Sequence, residues 1–70
     1  MPRIRLNEPE LVPELLFLLR QKRDCIATRN GNEIEAAVIG SYGDGGAREI
    51  ETLLREWQRD HPGLEFELTP

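Results

Sequence analysis

The chain has 70 residues, and its 9 basic and 13 acidic side chains give a formal net charge of −4. Leu, Ile, Val and Phe supply 19 residues, or 27 %, which is above the level typical of disordered chains. The longest apolar run, residues 15–19, is far too short to cross a membrane. An acidic surface also disfavours phosphate backbones, so we expect neither a nucleic acid nor a membrane as partner.

The start of the chain has no apolar segment of the secretory type, and its single cysteine, Cys25, excludes a disulfide framework or a cysteine-based zinc site. We therefore expect one cytoplasmic domain over residues 1–70, without a cofactor. A domain this short buries only about 60 % of the surface that its unfolded chain exposes. That small core favours a homo-oligomer as a further source of stability.

Residues 2–6 alternate between polar and apolar, which predicts a half-buried strand. Asn7 follows in the position of a helix N-cap, so we expect a helix from Glu8. Pro13 conflicts with a regular helix, because proline in a helix interior costs about 3 kcal/mol. Either the regular helix begins at Pro13 after an irregular turn, or its first turn is distorted. The apolar stripe of this helix consists of Leu11, Val12, Leu15, Leu16, Leu18 and Leu19.

Residues 24–29 and 32–40 are predicted to be strands joined by Asn30-Gly31, a strong hairpin signal for a type I′ turn. A two-residue turn there sets Ala27 opposite Ile34. One face of the hairpin then carries Cys25, Ala27, Ile34, Ala36 and Val38. The other face carries Ile26, Thr28, Glu33, Glu35, Ala37 and Ile39.

A loop with four glycines spans residues 40–46, and Asp44 within it is the predicted N-cap of a second helix. Pro62-Gly63 ends that helix, and residues 64–68 alternate again as a last strand. The apolar stripe of the second helix consists of Ala47, Ile50, Leu53, Leu54, Trp57 and His61.

The order β-α-β-β-α-β predicts an α+β domain of the ferredoxin-like, or split β-α-β, type. Its four-stranded antiparallel sheet has the order 4-1-3-2, with both helices on one face. The charges agree independently, because only this order places the arginines of the first strand between glutamates on both neighbours. Such pairs contribute roughly 0.2–1 kcal/mol each. The residues concerned are Arg3, Arg5, Glu33, Glu35, Glu65 and Glu67.

Cys25 and His61, as a pair, would supply a nucleophile and a base. The predicted second strand starts far from the end of the second helix, so we expect no contact between them. Cys25 is predicted to be a small core residue, and His61 to suit the helix dipole. The glycine-rich loop lacks the lysine and serine of a phosphate-binding loop, and Trp57 is predicted to be core. We therefore predict no catalytic, cofactor-binding or metal-binding residues.

Some apolar side chains lie outside the predicted core. Phe17 lies opposite the leucine stripe, and Ile26, Ala37 and Ile39 form the apolar remainder of an otherwise charged sheet face. The candidate interaction surface consists of Phe17, Ile26, Thr28, Ala37, Ile39 and Tyr42. Our main hypothesis is a non-enzymatic protein-binding or regulatory module that binds itself and a protein partner.

Two alternatives stay open. ACT-type regulatory domains resemble the predicted topology and bind amino acids at helix starts in paired subunits, which would make residues 7–10 and 40–46 the ligand loops. Small tautomerases are similar to this chain in length and in having a proline at position 2 ahead of an alternating strand. That resemblance would make Pro2 a general base. The tautomerase pattern of a β-α-β unit and a hairpin differs from the helix and strand that end this chain.

Overall fold

A computed structural model gives the structure of residues 1–40, 43 and 46–69. Four strands form an antiparallel sheet in the order β2-β3-β1-β4, and two helices accompany it. The predicted α+β class and strand order are confirmed. In chain order the elements are β1 (Arg3–Leu6), a 3₁₀ turn (Pro9–Leu11), α1 (Val12–Arg20), β2 (Cys25–Asn30), β3 (Glu33–Val38), α2 (Ala47–Arg59) and β4 (Phe66–Thr69).

The core lies between the helices and one face of the sheet. In β1, buried Ile4 and Leu6 alternate with exposed Arg3 and Arg5, as the period of two requires. Each large apolar side chain that is fully buried contributes about 1.5–3 kcal/mol. The buried apolar residues form one cluster: Ile4, Leu6, Val12, Leu15, Leu19, Cys25, Ala27, Ile34, Ala36, Ile50, Leu54, Trp57 and Leu64.

The conflict at Pro13 is resolved by an irregular first turn. The chain makes a 3₁₀ turn over Pro9–Leu11, and α1 begins at Val12, with Pro13 in its first turn. A proline there loses no helical hydrogen bond, because the first N–H groups of a helix have no acceptor within it. The predicted helix start at Glu8 was therefore wrong. The irregular turn is confirmed, although the regular helix begins at Val12, one residue before Pro13.

Asn7 does not cap the helix. Its side chain bridges to the segment before β4: Nδ2 donates to the Gly63 carbonyl at 3.1 Å, and Oδ1 accepts from the Glu65 N–H at 2.8 Å. The Asn7 N–H also donates to the Glu65 carbonyl at 3.1 Å. Glu8 is the N-cap of the 3₁₀ turn and Leu11 is that of α1, and neither makes a side-chain cap bond. Asn7 thus holds the segment that precedes β4 against the end of β1.

The hairpin register differs from the predicted one by two residues. Ala27 pairs with Ala36 rather than Ile34, because the two turn residues are Gly31 and Asn32. Gly31 has φ +64°, whereas Asn32 has no positive φ. Positive φ at the first central position alone is typical of a type II′ turn rather than a type I′ turn. A shift of two residues preserves the side-chain period, so both predicted faces of the hairpin are retained.

The ends of α2 and β4 also differ from the predictions. The N-cap of α2 is Gly46, not Asp44, which lies outside the described residues. The helix ends at Arg59, so His61 follows it rather than belonging to its last turn. Strand β4 begins at Phe66 instead of residue 64, which leaves Glu65 outside the strand.

Replacing Asn7 by aspartate distinguishes the observed bridging role of this side chain from the expected role as an N-cap. Aspartate is as good an N-cap as asparagine, but it cannot donate to the Gly63 carbonyl and would set a carboxylate against it. We expect Asn7→Asp and Asn7→Ala to lower the free energy of unfolding similarly, by about 1–2 kcal/mol, in urea titrations. Full stability of Asn7→Asp would support a capping role instead.

Among the glycines in the described part of the chain, Gly46 is the one at which a side chain is least tolerable. It has φ +86°, and a Cβ there would overlap the Val38 side chain. We expect Gly46→Ala to lower the free energy of unfolding by about 3 kcal/mol, combining left-handed strain with overpacking. The matched control is Gly63→Ala, at φ +89° with open space around it, which costs only the strain of about 1–2 kcal/mol. Equal costs in thermal or urea unfolding would contradict the overlap.

Candidate functional site

The face of the sheet that the helices leave uncovered, here called the open face, has a charged end. Arg5 Nη2 donates to Glu33 Oε1 at 2.7 Å, and Arg3 Nε lies 3.8 Å from Glu35 Oε1. On the other side of β1, Glu67 pairs with Arg5 in the sheet register. These five residues, Arg3, Arg5, Glu33, Glu35 and Glu67, are the charged end.

The predicted charge pattern is confirmed for β3 and holds only in part for β4. Arg3 pairs with Thr69, and Glu65 lies beside Asn7 rather than beside an arginine. The hydrogen bond and charge of Arg5 lower the pKa of the Glu33 carboxyl. The two arginines are well exposed to solvent and the two glutamates are half-buried, so these pairs contribute more to the pattern of charge than to stability.

The other end of the open face is apolar. Ile26 pairs directly with Ala37, and the ladder continues through a bond from the Ile39 N–H to the Asp24 carbonyl at 2.6 Å. On the other side of β3, the Ala36 N–H donates to the Pro2 carbonyl at 3.0 Å. Strand alternation therefore places Met1 beside Ala37 on the open face. Met1, Ile26, Ala37 and Ile39 are here called the apolar end.

Exposure makes the apolar end unusual. Met1 is 63 % exposed, Ile26 50 % and Ile39 62 %. They are three of the four large hydrophobic residues exposed in the described part of the chain, and all lie at one end of one face. Contiguous apolar surface rimmed by charge is typical of an interaction site, whereas isolated exposed hydrophobics need no explanation.

The other members of the predicted surface do not all join this cluster. Thr28 lies on the open face, paired with Glu35 next to the apolar end. Phe17 is 67 % exposed, but it projects from α1 on the far side of the molecule. Tyr42 lies outside the described residues. Phe17 therefore does not belong to the same contiguous surface as the apolar end.

Strand β2 is an edge of the sheet, and its free side is partly closed. Arg20, at the end of α1, reaches over β2, and its Nε donates to the Ala27 carbonyl at 3.1 Å. The Cys25 N–H on the same side donates to the Lys22 carbonyl at 3.3 Å. A covered edge resists the addition of another strand. The open face is thus a better surface for association than this edge.

Cys25 and His61 have separate surroundings, as expected. Cys25 is buried in the core cluster, and its burial raises the pKa of its thiol, which disfavours the nucleophilic thiolate. His61 Nε2 lies 2.8 Å from Glu14 Oε2, and its Nδ1 lies 3.0 Å from the Trp57 carbonyl. The same Glu14 oxygen accepts a bond from Trp57 Nε1 at 3.2 Å.

This contact of His61, Glu14 and Trp57 joins α1 to the end of α2, and sequence reasoning missed it. A carbonyl and a carboxylate can only accept hydrogen bonds, so both ring nitrogens of His61 face acceptors. The bond with the Trp57 carbonyl, followed by the charge of Glu14, raises the pKa of His61. The arrangement favours the imidazolium and ties the two helices together electrostatically.

The alternative functions gain no support from their residues. Pro2 is fully buried and its carbonyl is bonded to Ala36, so its ring is not presented to a substrate. Both polar atoms of the Asn7 side chain are already bonded within the chain, and much of loop 40–46 lies outside the described residues. A groove of about 440 Å³ beside Pro9 is open and lined largely by polar side chains, unlike typical small-molecule sites.

Comparison with protein families, curated proteins and solved structures found no match to this chain. Within the described part of the chain, no group of three His, Cys, Asp or Glu side chains is arranged to hold a metal ion. No helix in that part is long and apolar enough to span a bilayer. The candidate functional site is the open face, where exposed apolar side chains lie beside paired charges.

The contact of His61 with Glu14 predicts a pH-dependent stability. Folding raises the pKa of His61, so the imidazolium stabilises the fold below the ordinary value of 6.5, and this contribution is lost as the pH rises through the folded-state pKa. We expect Glu14→Gln to lower the His61 pKa in an NMR titration, but only in part, because the Trp57 carbonyl remains. The difference in unfolding free energy between the two proteins narrows as the pH rises.

The matched control is Glu67→Gln, which removes the same charge on the opposite face of the sheet. It should leave the His61 titration unchanged. A His61 pKa that does not respond to Glu14→Gln would mean that the two side chains are apart in solution.

Proposed function

We propose that this protein is a non-enzymatic binding module that self-associates through the open face of its sheet. The observation that carries the proposal is the apolar end, where three exposed hydrophobic side chains surround Ala37 beside a paired set of charges. Covering one such side chain on association contributes about 1.5–3 kcal/mol. A second copy of the chain is the occupant that we propose, because the charged end carries both signs and can complement itself.

We also propose that the domain has a ferredoxin-like architecture. The element order and the strand order β2-β3-β1-β4 support a ferredoxin-like arrangement. In such an arrangement the helices protect one face only, and the other is available to a partner. This topology serves many unrelated functions, so the side chains of the open face, and not the fold, support a binding role.

Substituting Ile26 tests the surface. Ile26→Glu sets a charge at the apolar end of both copies, and we expect the dissociation constant for self-association to rise at least about tenfold, equivalent to about 1.4 kcal/mol. The measurement is sedimentation equilibrium over about 10–500 µM, a range suited to weak interfaces. Circular dichroism checks that each variant is folded.

The matched control is Phe17→Glu, which makes the same kind of change at a more exposed residue on the other side of the molecule. It should associate like the parent. A parent that stays monomeric throughout the range would refute the proposed function. Weakening by Phe17→Glu but not by Ile26→Glu would move the interface to α1.

A further inference from the structure

The charges of the open face change sign from strand to strand. Strand β3 presents Glu33 and Glu35, β1 presents Arg3 and Arg5, and β4 presents Glu67. Strands β3 and β1 are the two central strands of the sheet. The acidic and basic rows therefore run side by side along the middle of the face, about 4.8 Å apart.

Resting on the proposed function, we infer that two copies stack face to face about a two-fold axis that runs parallel to the strands, between β1 and β3. This operation sets β3 of one copy over β1 of the second. Glu35 then lies opposite Arg3 of the second copy, and Glu33 lies opposite Arg5. The pattern is self-complementary, as a two-fold interface requires.

The same operation brings the apolar ends together. Because an axis parallel to the strands does not exchange the two ends of a strand, the end that holds Ala37 and Met1 meets its counterpart in the second copy. Ile26 and Ile39 then border the contact. Apolar surface is covered at one end of the stack, while charges of opposite sign meet at the other.

Other arrangements are less favourable. An axis across the strands, with the same overlap, would set β1 over β1 and β3 over β3, so arginines would face arginines and glutamates would face glutamates. Like charges in such contacts are strongly unfavourable. Edge-to-edge pairing of β2 would require Arg20 to release the Ala27 carbonyl. Contact of the apolar ends alone would leave the charges apart, and this is the arrangement that the test must exclude.

The size of the face limits the affinity. Four strands spaced about 4.8 Å apart and about five residues long give a face of roughly 19 by 17 Å. An interface of that size is smaller than the standard one of about 1,600 Å² in total. We therefore expect a weak, rapidly exchanging dimer whose strength depends on salt, since part of its attraction is between exposed charges.

Charge reversal in separate chains tests the stacking. Arg3→Glu and Glu35→Arg are the best positions, because the 3.8 Å pair within each chain is long and exposed and its loss costs little stability. Each variant alone should associate about tenfold or more weakly than the parent, because like charges then face each other. An equimolar mixture should regain association close to that of the parent, since in the mixed dimer every side chain at position 3 faces one of opposite charge at position 35.

The controls are Arg48→Glu and Glu49→Arg, which make the same charge changes on α2, away from the open face. Their self-association and that of their mixture should equal that of the parent. A second readout needs no variant. Added sodium chloride should raise the dissociation constant of the parent dimer. A dimer held by the apolar ends alone would not be weakened by salt.

The outcomes separate the two proposals. If the mixture associates no better than the single variants while Ile26→Glu still weakens the dimer, this stacking is overturned and the proposed function stands. If the parent does not self-associate at any concentration, both are overturned. Recovery in the mixture together with weakening by salt supports the stacking.

Discussion

The position of β1 between β3 and β4 is the constraint on which the rest of the structure depends. Its inner side chains, Ile4 and Leu6, belong to the core, and its outer side chains, Arg3 and Arg5, lie between acidic neighbours. Moving β1 to the edge would leave an arginine row with acidic residues on one side only. A one-residue slip would turn both arginines into the core, where an unpaired charge is prohibitively costly.

Much of this architecture could be predicted from the sequence. The alternation in β1 and β4 and the helical stripes identified the inner and outer faces. The order of the elements predicted the strand order, and the charge pattern agreed with it independently. The register of the hairpin could not be predicted in this way. Asn30-Gly31 and Gly31-Asn32 both offer a plausible two-residue turn, and the choice depends on how the strands pack. Because the two registers differ by two residues, the error changed the partners of Ala27 without changing its face.

The candidate site was predictable in part for the same reason. Ile26, Thr28, Ala37 and Ile39 follow from the period of two, but the addition of Met1 depends on the ladder continuing through Pro2 to Ala36. Contacts between residues far apart in sequence carried no local signal. Asn7 is an ordinary N-cap in sequence, and only the approach of Gly63 and Glu65 gives its amide better partners. His61 and Glu14 likewise meet only because the fold brings the C-terminal end of α2 to the first turn of α1.

The helical side and the open face of the molecule differ in which of their side chains lack a partner within the chain. On the helical side, polar groups at the margins of the core are hydrogen-bonded or paired. Glu14 contacts Trp57 and His61, and Arg20 donates to the Ala27 carbonyl. On the open side, the charges are paired but the apolar end is not covered. Because a chain of 70 residues has little core to spare, leaving Ile26 and Ile39 in water forgoes stabilisation that inward positions would have supplied. Covering them in a complex stabilises the folded state by mass action, so association through this face would link the binding of a partner to the stability of the fold.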